Sequence, residues 1–398
     1  MTFKDATIGD IAAVQTGPFG SQLHNKDYVL VGTPIVTVEH LGERKMTRQN
    51  LPCVSDADKE RLSKYTLQYG DLVFSRVGSV DRCSWVSEDE DGWMFSGRCL
   101  RVRPNNPDEI YHKYLYYFFI LESTKDFVRN IAVGATMPSI NTRLLSEVPI
   151  SYPSIEEQWS IGDALSALDD RIEENRKINH HLEQMAQAIF KSWFVDFEPF
   201  GGVMPDDWRE GTLGDICAYN SERIAVSALT LDTYISTENM SSDKGGFVKA
   251  ANLPTISQTT AFAIGDTLVS NIRPYFKKIV YCGFAGGCST DVLCFRSHRA
   301  KLSHYVYNVL FSDKFFDYMV AGSKGTKMPR GDKQQIMNYH VAIPADTVLD
   351  DFIAAVTPMT EQRLLLAEES NRFAELRDIL LPRLVSGELS AADLGDAK

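Results

Sequence analysis

The feature that most constrains the fold of this 398-residue sequence is an internal repeat with a period of about 190 to 205 residues. Three short segments recur in the same order, and the interval between matching segments becomes shorter along the chain. The matching segments are 8–11 and 213–216, 70–75 and 265–270, and 134–138 and 325–329. The sequence therefore predicts two copies of one domain, of which the second is the shorter.

Each copy ends in a stretch whose apolar residues recur at alternating steps of four and three, which predicts a long amphipathic helix. A helix over 155–194 would be roughly 60 Å long, too long for one globular core to cover, so we expect the two helices to pack on each other. The recurring apolar positions form one row along each helix, and polar residues such as Asn175, Arg363 and Arg377 interrupt these rows. Pro358 is expected to kink or delay the second helix. The row positions are Ile161, Leu165, Leu168, Ile172, Leu182 and Ile189 in the first helix and Phe352, Val356, Leu366, Phe373 and Leu380 in the second.

The segment before each helix contains strand-like runs bounded by glycine, proline and asparagine, followed by helical patterns at 111–120 and 305–319. The strand-like runs are 72–77, 99–103, 267–270 and 292–295. The predicted fold class is α+β, with two similar domains separated by two long antiparallel helices that form a coiled-coil-like spacer. The predicted boundaries are 1–152 and 201–344 for the domains, 153–200 and 345–390 for the helical spacers, and 391–398 for a flexible tail.

The net charge of −12, from 41 basic and 53 acidic residues, at first argues against a nucleic-acid partner, because phosphate binding needs lysine and arginine. The charge is unevenly distributed, however. Residues 1–150 include 17 basic and 19 acidic residues, and residues 201–343 include 15 and 13, so the acidic excess lies in the two helical segments. Each long domain is therefore close to neutral and could present a basic face to nucleic acid.

The sequence lacks the motifs of common nucleotide-dependent and metal-dependent enzymes. It has no glycine-rich cofactor loop, no P-loop and no nucleophile elbow. Asp27 and Glu43 are the nearest approach to the carboxylate cluster of a nuclease, and His180 and His181 have no third ligand at helical spacing. We therefore expect no catalytic residue and no metal site, and the absence favours a binding function.

The seven cysteines form no CxxC pair and have no histidine at metal-ligand spacing, so we expect reduced and mostly buried thiols. The longest apolar run, 114–121, has eight residues, whereas a helix needs roughly 20 to span a bilayer. No signal peptide is recognisable at the start of the sequence. The sequence predicts a cytoplasmic protein without a membrane partner.

Binding chemistry is concentrated in loops. Residues 16–23 place a phenylalanine, a serine and a glutamine on a Gly/Pro turn, for which a purely structural turn is the alternative. Residues 271–278 alternate basic and aromatic side chains, and residues 324–335 contain four cations and two glutamines, for which a solvated loop is the alternative. The predicted DNA-binding residues are Phe19, Ser21, Gln22, Arg76, Thr136, Asn141, Arg143, Asn271, Arg273, Tyr275, Lys277, Lys278, Lys324, Lys327, Arg330 and Lys333.

Several segments together resemble a known family. They are LLPRLVSGEL at 380–389, VPISYPSIEEQ at 148–158, MPDDW at 204–208 and the Gly-Asp turns at 70–71 and 265–266. With the duplicated domain and helix, they make the chain similar to the specificity (S) subunit of type I restriction-modification systems over essentially its whole length. The second helix departs from the pattern of the first, because it has Asp350 and Asp351 instead of a Glu-Gln pair near its start.

The resemblance implies two target-recognition domains, each recognising one half of a bipartite, non-palindromic site in double-stranded DNA. It also implies that the row residues of the helices bind modification subunits, and that restriction subunits complete the complex. S-adenosylmethionine, ATP and Mg would then be bound by those partner subunits and not by this chain. The alternatives are a single-chain DNA nuclease or methyltransferase with an unrecognised active site, and a structural coiled-coil scaffold without affinity for DNA.

We expect the purified chain alone to show no methyltransferase, nuclease or ATPase activity, because the sequence has neither a cofactor loop nor a carboxylate cluster. The measurement is turnover of S-adenosylmethionine, DNA or ATP before and after an additional purification step. Activity that survives this step, and that a point substitution in this chain abolishes, would contradict the expectation.

Overall fold

The computed structural model describes residues 2–391, so the tail predicted at 391–398 lies outside the described residues apart from Ala391. Contacts between residues divide the chain into two compact units. Unit 1 consists of residues 1–173 and 370–398, and unit 2 consists of residues 174–369. Each unit therefore combines one domain of the repeat with part of both helical segments.

Unit 1 is built from short strands in three sheets, with helices packed against them. Its strands are β1 (Lys4–Thr7), β2 (Ala12–Thr16), β3 (Tyr28–Val29), β4 (Thr33–Val36), β5 (Cys53–Val54), β6 (Leu72–Ser75), β7 (Cys83–Trp85), β8 (Met94–Phe95), β9 (Cys99–Pro104) and β10 (Pro149–Tyr152). Its helices are α1 (Ile8–Ile11), α2 (Asp56–Arg61), α3 (His112–Ile120), α4 (Glu122–Ile131), α5 (Thr142–Ser146) and the first part of α6 (Ile155–Phe194). The strand orders are β1-β10, β2-β9-β6-β7 and β3-β5-β4-β8, and only β4 and β8 are parallel.

Unit 2 has the same kind of architecture. Its strands are β11 (Arg209–Thr212), β12 (Cys217–Tyr219), β13 (Arg223–Ala225), β14 (Tyr234–Ile235), β15 (Gln258–Phe262), β16 (Thr267–Ser270), β17 (Ile279–Tyr281), β18 (Gly286–Cys288), β19 (Val292–Ser297) and β20 (His340–Ile343). Its helices are α7 (Leu213–Ile216), α8 (Ser303–Phe311), α9 (Asp313–Ala321), α10 (Lys333–Met337), the last part of α6 and the first part of α11 (Asp346–Val385), whose last part belongs to unit 1. The strand orders are β11-β20, β12-β19-β16-β17 and β13-β15-β18-β14, and only β14 and β18 are parallel.

The duplication and the α+β fold class predicted from the sequence are confirmed. The helices α6 and α11 both have 40 residues and begin 191 residues apart, the same interval as the last pair of repeated segments. Each copy also begins with a threonine and an aspartate that form a capping box. The backbone N–H of Thr7 donates to Asp10 at 2.8 Å, and that of Thr212 donates to Asp215 at 2.7 Å.

The repeated Gly-Asp turn, residues 70–71 and 265–266, has the same role in both units. Its glycine has a φ angle of 84° in unit 1 and 87° in unit 2, a conformation that residues with a Cβ atom rarely adopt. Its aspartate is almost completely buried and forms an ion pair with Arg103 at 2.6 Å or with Arg296 at 2.8 Å. Since both arginines lie in the neighbouring strand, the pair fixes the start of β6 against β9 and of β16 against β19.

The units differ in their third sheet. In unit 1 the strand β4 lies between β5 and β8, whereas in unit 2 the strand β14 lies at the edge of the sheet beside β18. The strand β14 corresponds to β4, and β18 corresponds to β8, because β4–β8 and β14–β18 are the parallel strand pairs of the two sheets. The part of the chain that forms this sheet is also the part that is shorter in the second copy, so the copies diverge mainly here.

In unit 2 the helices α6 and α11 run antiparallel. The contacts are a 2.7 Å hydrogen bond from Asn175 Nδ2 to Glu369 Oε2, an ion pair between Glu183 and Arg363, and rings of Phe194 and Phe352 with centroids 4.9 Å apart. In unit 1 the same helices are joined by an ion pair of 2.6 Å between Asp169 and Arg377. Arg363, Arg377 and Asn175, which interrupt the apolar rows, therefore bind acidic side chains of the facing helix.

The prediction that Pro358 would delay the second helix is wrong. The helix α11 begins at Asp346 and continues through Pro358, which is exposed. Proline removes one backbone donor from a helix, but Phe352 and Val356 are fully buried in the turns just before it. Their packing holds these turns in the helical conformation.

The helical pattern at 305–319 corresponds to two helices, α8 and α9, rather than to one. The break is at Ser312, whose backbone is extended with a φ angle of −63° and a ψ angle of 144°. Its hydroxyl accepts a 3.2 Å hydrogen bond from the backbone N–H of Phe315 and so caps α9. This capping chemistry competes with a continuous helix.

The two long helices are attached to their domains by different chemistry. In unit 1 the buried Gln158 side chain donates to the carbonyl groups of Glu109 and Pro153 at 2.9 and 3.0 Å. In unit 2 the position 191 residues later is the buried Leu349, and ion pairs of Lys301 with Asp346 and Asp350 bind the helix instead. Asp350, one of the two acidic residues that depart from the Glu-Gln pattern, thus has a role of its own.

We expect Arg363→Met to lower the free energy of unfolding by about 3–5 kcal/mol, because it leaves the buried Glu183 without its counter-charge. Burial already raises the pKa of Glu183 above its ordinary value. The double variant Glu183→Leu/Arg363→Met should recover most of the loss, since it removes both charges. Chemical denaturation measures the difference.

The matched control is Lys4→Met, which breaks the exposed Lys4–Glu109 pair and should cost no more than about 1 kcal/mol. If Arg363→Met and Lys4→Met lower the free energy of unfolding equally, the buried Glu183–Arg363 pair does not stabilise the protein more than an exposed pair does.

Candidate nucleic-acid interface

In each unit two loops lie side by side, and they contain many of the predicted DNA-binding residues. In unit 1 they are the strand-end loop, residues 76–79 after β6, and the hairpin loop, residues 133–139 after α4. In unit 2 the strand-end loop is residues 271–278 after β16, and the hairpin loop is residues 324–330 after α9. Backbone hydrogen bonds join the two loops in each unit.

The hydrogen bonds are the same in both units. In unit 1 all are 2.9 Å long, and they join Val133 N to Ser139 O, Ser139 N to Val133 O, Gly78 N to Pro138 O, and Ile140 N to Arg76 O. In unit 2 they join Lys324 N to Arg330 O and Arg330 N to Lys324 O at 2.9 Å, Arg273 N to Pro329 O at 2.7 Å, and Gly331 N to Asn271 O at 3.2 Å. Arg76 and Asn271 are therefore equivalent, as are Gly78 and Arg273.

The loops are held in backbone conformations that most residues avoid. Gly134 and Gly325, at the start of the hairpin loops, have φ angles of 108° and 101°. Gly78 has a φ angle of 77°, and its equivalent Arg273 keeps a left-handed conformation with a φ angle of 50° although it has a Cβ atom. Such a conformation costs roughly 1–3 kcal/mol and persists only where surrounding contacts impose it, often at functional sites.

Two predicted residues of unit 1 come together beside the strand-end loop, and a third lies in the hairpin loop. Phe19 is 55% exposed, and its ring lies 5.8 Å from the guanidinium carbon of Arg76. Arg76 Nη1 donates to the carbonyl group of Gly97 at 3.1 Å, while its Nε is buried without a hydrogen-bond partner among the described residues. Thr136 is exposed in the hairpin loop. Phe19 and Arg76 thus place an aromatic ring beside a cationic group, and Thr136 exposes a hydroxyl group on the neighbouring loop.

The other predicted residues of unit 1 have different surroundings. Gln22 accepts a 2.9 Å hydrogen bond from the hydroxyl of Tyr65, and Ser21 is exposed. Asn141 caps α5 by accepting from the backbone N–H of Leu144 at 2.9 Å. Arg143 is exposed and forms an ion pair of 3.0 Å with Glu147 one turn later. The structure therefore gives Asn141 a structural role and leaves Arg143 accessible.

In unit 2 the strand-end loop combines buried and exposed groups. Asn271 is buried, and its Oδ1 lacks a hydrogen-bond partner among the described residues, as does the buried Nε of Arg273. Tyr275 is exposed. Lys278 donates to the carbonyl group of Thr237 at 2.7 Å, and burial lowers the pKa of its ammonium group.

Several cations of unit 2 are paired with acids. Lys277 lies 2.7 Å from Asp313, which raises the pKa of Lys277 and lowers that of the aspartate. Lys324 lies 2.5 Å from Asp332 and lowers its pKa. Arg330 lies 3.3 Å from Asp291. These pairs reduce the charge available for phosphate groups.

Two predicted cations of unit 2 are exposed and have no acidic partner among residues 2–391. Lys327 is exposed in the hairpin loop and forms no ion pair. Lys333 is exposed, and its ammonium lies 5.9 Å from the ring of Tyr219. Sequence reasoning could not separate these cations from the paired ones, because the acidic partners Asp291 and Asp313 lie in other elements.

The predicted row residues of the long helices face the interior of the units. Ile161, Leu165, Phe352 and Val356 are fully buried, Ile172 and Leu366 nearly so, and Leu168, Leu182, Ile189, Phe373 and Leu380 are half-buried. Exposed apolar side chains occur at other positions, which the heptad pattern missed. They are Trp159, Leu376 and Ile379 in unit 1 and Ile178, Met185, Leu364 and Leu365 in unit 2. The signal that could have found them is an apolar residue outside the row on an otherwise acidic helix.

The structure also bears on the other predicted features. Of the seven cysteines six are buried, and none forms a disulfide. Among residues 2–391, no group of three or more histidine, cysteine, aspartate and glutamate side chains could hold a metal ion. In the same part of the chain, no helix has the length and apolar character needed to cross a membrane.

Comparisons with known proteins agree on one family. A family model described as the type I restriction modification DNA specificity domain matches residues 2–184. The chain is 28% identical over 313 residues to the type I restriction enzyme MjaIX specificity subunit of Methanocaldococcus jannaschii, which covers 72% of this chain and 71% of that protein. It is 34% identical over 140 residues to the HindI specificity subunit of Haemophilus influenzae, which covers 34% and 30%.

The fold matches a solved structure over nearly its whole length. The crystal structure of the type I restriction-modification system S subunit from M. genitalium aligns with a TM-score of 0.61 and covers 96% of both chains. The identity in this alignment is 15%, so the similarity is one of fold.

We expect Lys327→Ala to weaken DNA binding equally for all sequences and to lower the slope of log affinity against log salt by about one, because its ammonium is free to bind a phosphate. Lys324→Ala is the matched control in the same loop, and it should have a smaller effect because Lys324 is already paired with Asp332. Fluorescence anisotropy at several salt concentrations, with any partner subunits present, measures both slopes. Equal slopes for the two variants would contradict the expectation that Lys327 contributes more than Lys324 to phosphate binding.

Proposed function

The chain belongs to the family of type I restriction-modification specificity subunits, and on this basis we propose that each of its units recognises one half of a bipartite site in double-stranded DNA. The observation that supports this proposal is the pair of loops that occurs in both units with the same backbone hydrogen bonds. A DNA-binding surface formed twice in one chain is the arrangement that a two-part site requires.

The two surfaces differ in the side chains that could contact bases, so the half-sites are expected to differ in sequence. Arg76 is replaced by Asn271, Gly78 by Arg273, and Thr136 by Lys327 at equivalent positions. Arginine forms paired hydrogen bonds with guanine and asparagine forms them with adenine in the major groove. The site as a whole would then be non-palindromic.

Buried polar atoms support a role in recognition for the strand-end loops. Arg76 Nε, Asn271 Oδ1 and Arg273 Nε lack hydrogen-bond partners among the described residues. A buried polar group without a partner costs about 1–3 kcal/mol. Such groups are uncommon in folded proteins, and here they occur in the same loop of both units. Small shifts of these side chains on binding DNA would provide the missing partners.

We further propose that modification and restriction subunits bind this chain and perform the catalysis. The row residues would support this contact by forming the helix pair, and the exposed apolar residues Trp159, Ile178, Met185, Leu365 and Ile379 are available to the partner. Apolar groups are uncommon on an otherwise acidic helix surface, and burial of them against a partner stabilises a complex. S-adenosylmethionine, ATP and Mg would be bound by the partners, and the complex would work in the cytoplasm.

Replacement of residues 1–152 by the equivalent domain of a related subunit is expected to change one half of the methylated motif and leave the other half unchanged. The replaced segment contains both β1 and β10, so that the strand pair at its ends is kept. Methylome sequencing of a host with the intact system measures the motif before and after the exchange.

The reciprocal exchange of residues 201–344 is the control and should change only the other half. If either exchange changes both halves, or if neither changes any, the assignment of one half-site to each unit is wrong.

A further inference from the structure

The tip of the hairpin loop presents an exposed methionine in both units. Met137 is 67% exposed and Met328 is 46% exposed. Each follows a glycine by three residues and precedes a proline, in the segments GATMP and GTKMP. An isolated exposed apolar residue is ordinary, but the same residue at the tip of the same loop in two units requires an explanation.

The backbone below the methionine is rigid in both units. The carbonyl group of the following proline accepts a hydrogen bond from the strand-end loop at 2.9 Å in unit 1 and at 2.7 Å in unit 2. Two further hydrogen bonds close the hairpin at its base. Proline itself has a fixed φ angle, which further restricts the tip. The methionine side chain is therefore a flexible group at the end of a fixed support.

The methionine is kept where the surrounding interface has diverged. Arg76, Gly78 and Thr136 of unit 1 are replaced by other residues in unit 2, and the third sheet has a different strand order. A residue that distinguishes one half-site from the other should differ between the units. A residue that is the same in both, on a loop of the same geometry, instead performs a task common to both half-sites.

The chemistry around the tip favours DNA as the molecule that it contacts. In unit 2 the tip is flanked by Lys327 and Arg330, and in unit 1 the loop is bonded to Arg76, which stacks near Phe19. A stable protein–protein interface buries roughly 800 Å² of surface on each partner, far more than one methionine side chain can provide. The exposed methionine alone therefore does not indicate a protein partner. Methionine is unbranched and polarisable, and it is among the apolar residues that proteins insert between base steps.

We propose that Met137 and Met328 are wedges that insert between adjacent base pairs, each at the corresponding step of its own half-site. The proposal rests on the proposed function and adds to it a local distortion of the DNA that is independent of base identity. The wedge unstacks one step in each half-site and bends the duplex there. The neighbouring cations bind the phosphates on either side of the bend.

The test uses the full chain assembled with its modification subunits and duplexes that contain the methylated motif with 2-aminopurine at successive positions. The wild-type complex should raise the fluorescence at one step in each half-site, because unstacked 2-aminopurine is brighter. Met137→Ala should abolish the increase in one half only, and Met328→Ala in the other half only. Met137→Leu, which keeps a side chain of similar size, should retain the increase.

The control is Ile264→Ala, which removes an exposed apolar side chain at the opposite end of β16 from the candidate loops and should leave both signals unchanged. The methylated motif should remain the same in all variants, which separates this proposal from the proposed function. Unchanged fluorescence in Met137→Ala and Met328→Ala would overturn the wedge. Loss of the modification subunits from these variants would overturn it too, because the tip would then be a protein contact.

Discussion

Each domain depends on both long helices to complete its hydrophobic core, and the rest of the structure follows from this constraint. The core of unit 1 includes Leu381 and Leu384, which belong to the helix at the end of the second sequence copy. The core of unit 2 includes Phe190 and Phe194, from the helix of the first copy. Burial of one such side chain contributes about 1.5–3 kcal/mol. Neither sequence copy contains all of its own core, which is why the structural units cross the boundary of the repeat.

In each unit, the geometry of the candidate DNA-binding surface is set separately from the side chains that it presents. Backbone hydrogen bonds and a few glycines set the positions of the strand-end and hairpin loops. The side chains at those positions can therefore change without loss of the loop conformation. Arg273 illustrates the limit of this freedom, since it occupies a left-handed position that Gly78 occupies without strain in unit 1.

The repeat made much of this architecture predictable from the sequence, because local patterns fix strands and helices. The strand at 267–270 was predicted with the bounds that the structure has, and the helix at 155–194 likewise. The end of each long helix belongs to the core of the other copy's domain, and this was not predictable from the sequence. Nothing local marks Leu384 as a neighbour of residues more than 200 positions earlier. The break at Ser312 was missed because a single hydroxyl cap decides it. The pairing of Lys277 with Asp313 required tertiary structure to recognise.

The residues that form ion pairs between the long helices are not repeated at the equivalent positions of the other copy, and this affects which helices can pair. At the interval of 191 residues, Asp169 corresponds to Thr360, and its partner Arg377 corresponds to Ala186. If two α6 helices from separate chains paired in the register that α6 and α11 use, Asp169 would be buried against Ala186 without a cation. An uncompensated buried charge costs several kcal/mol. The mismatch disfavours pairing of two like helices from separate chains and favours pairing of α6 with α11.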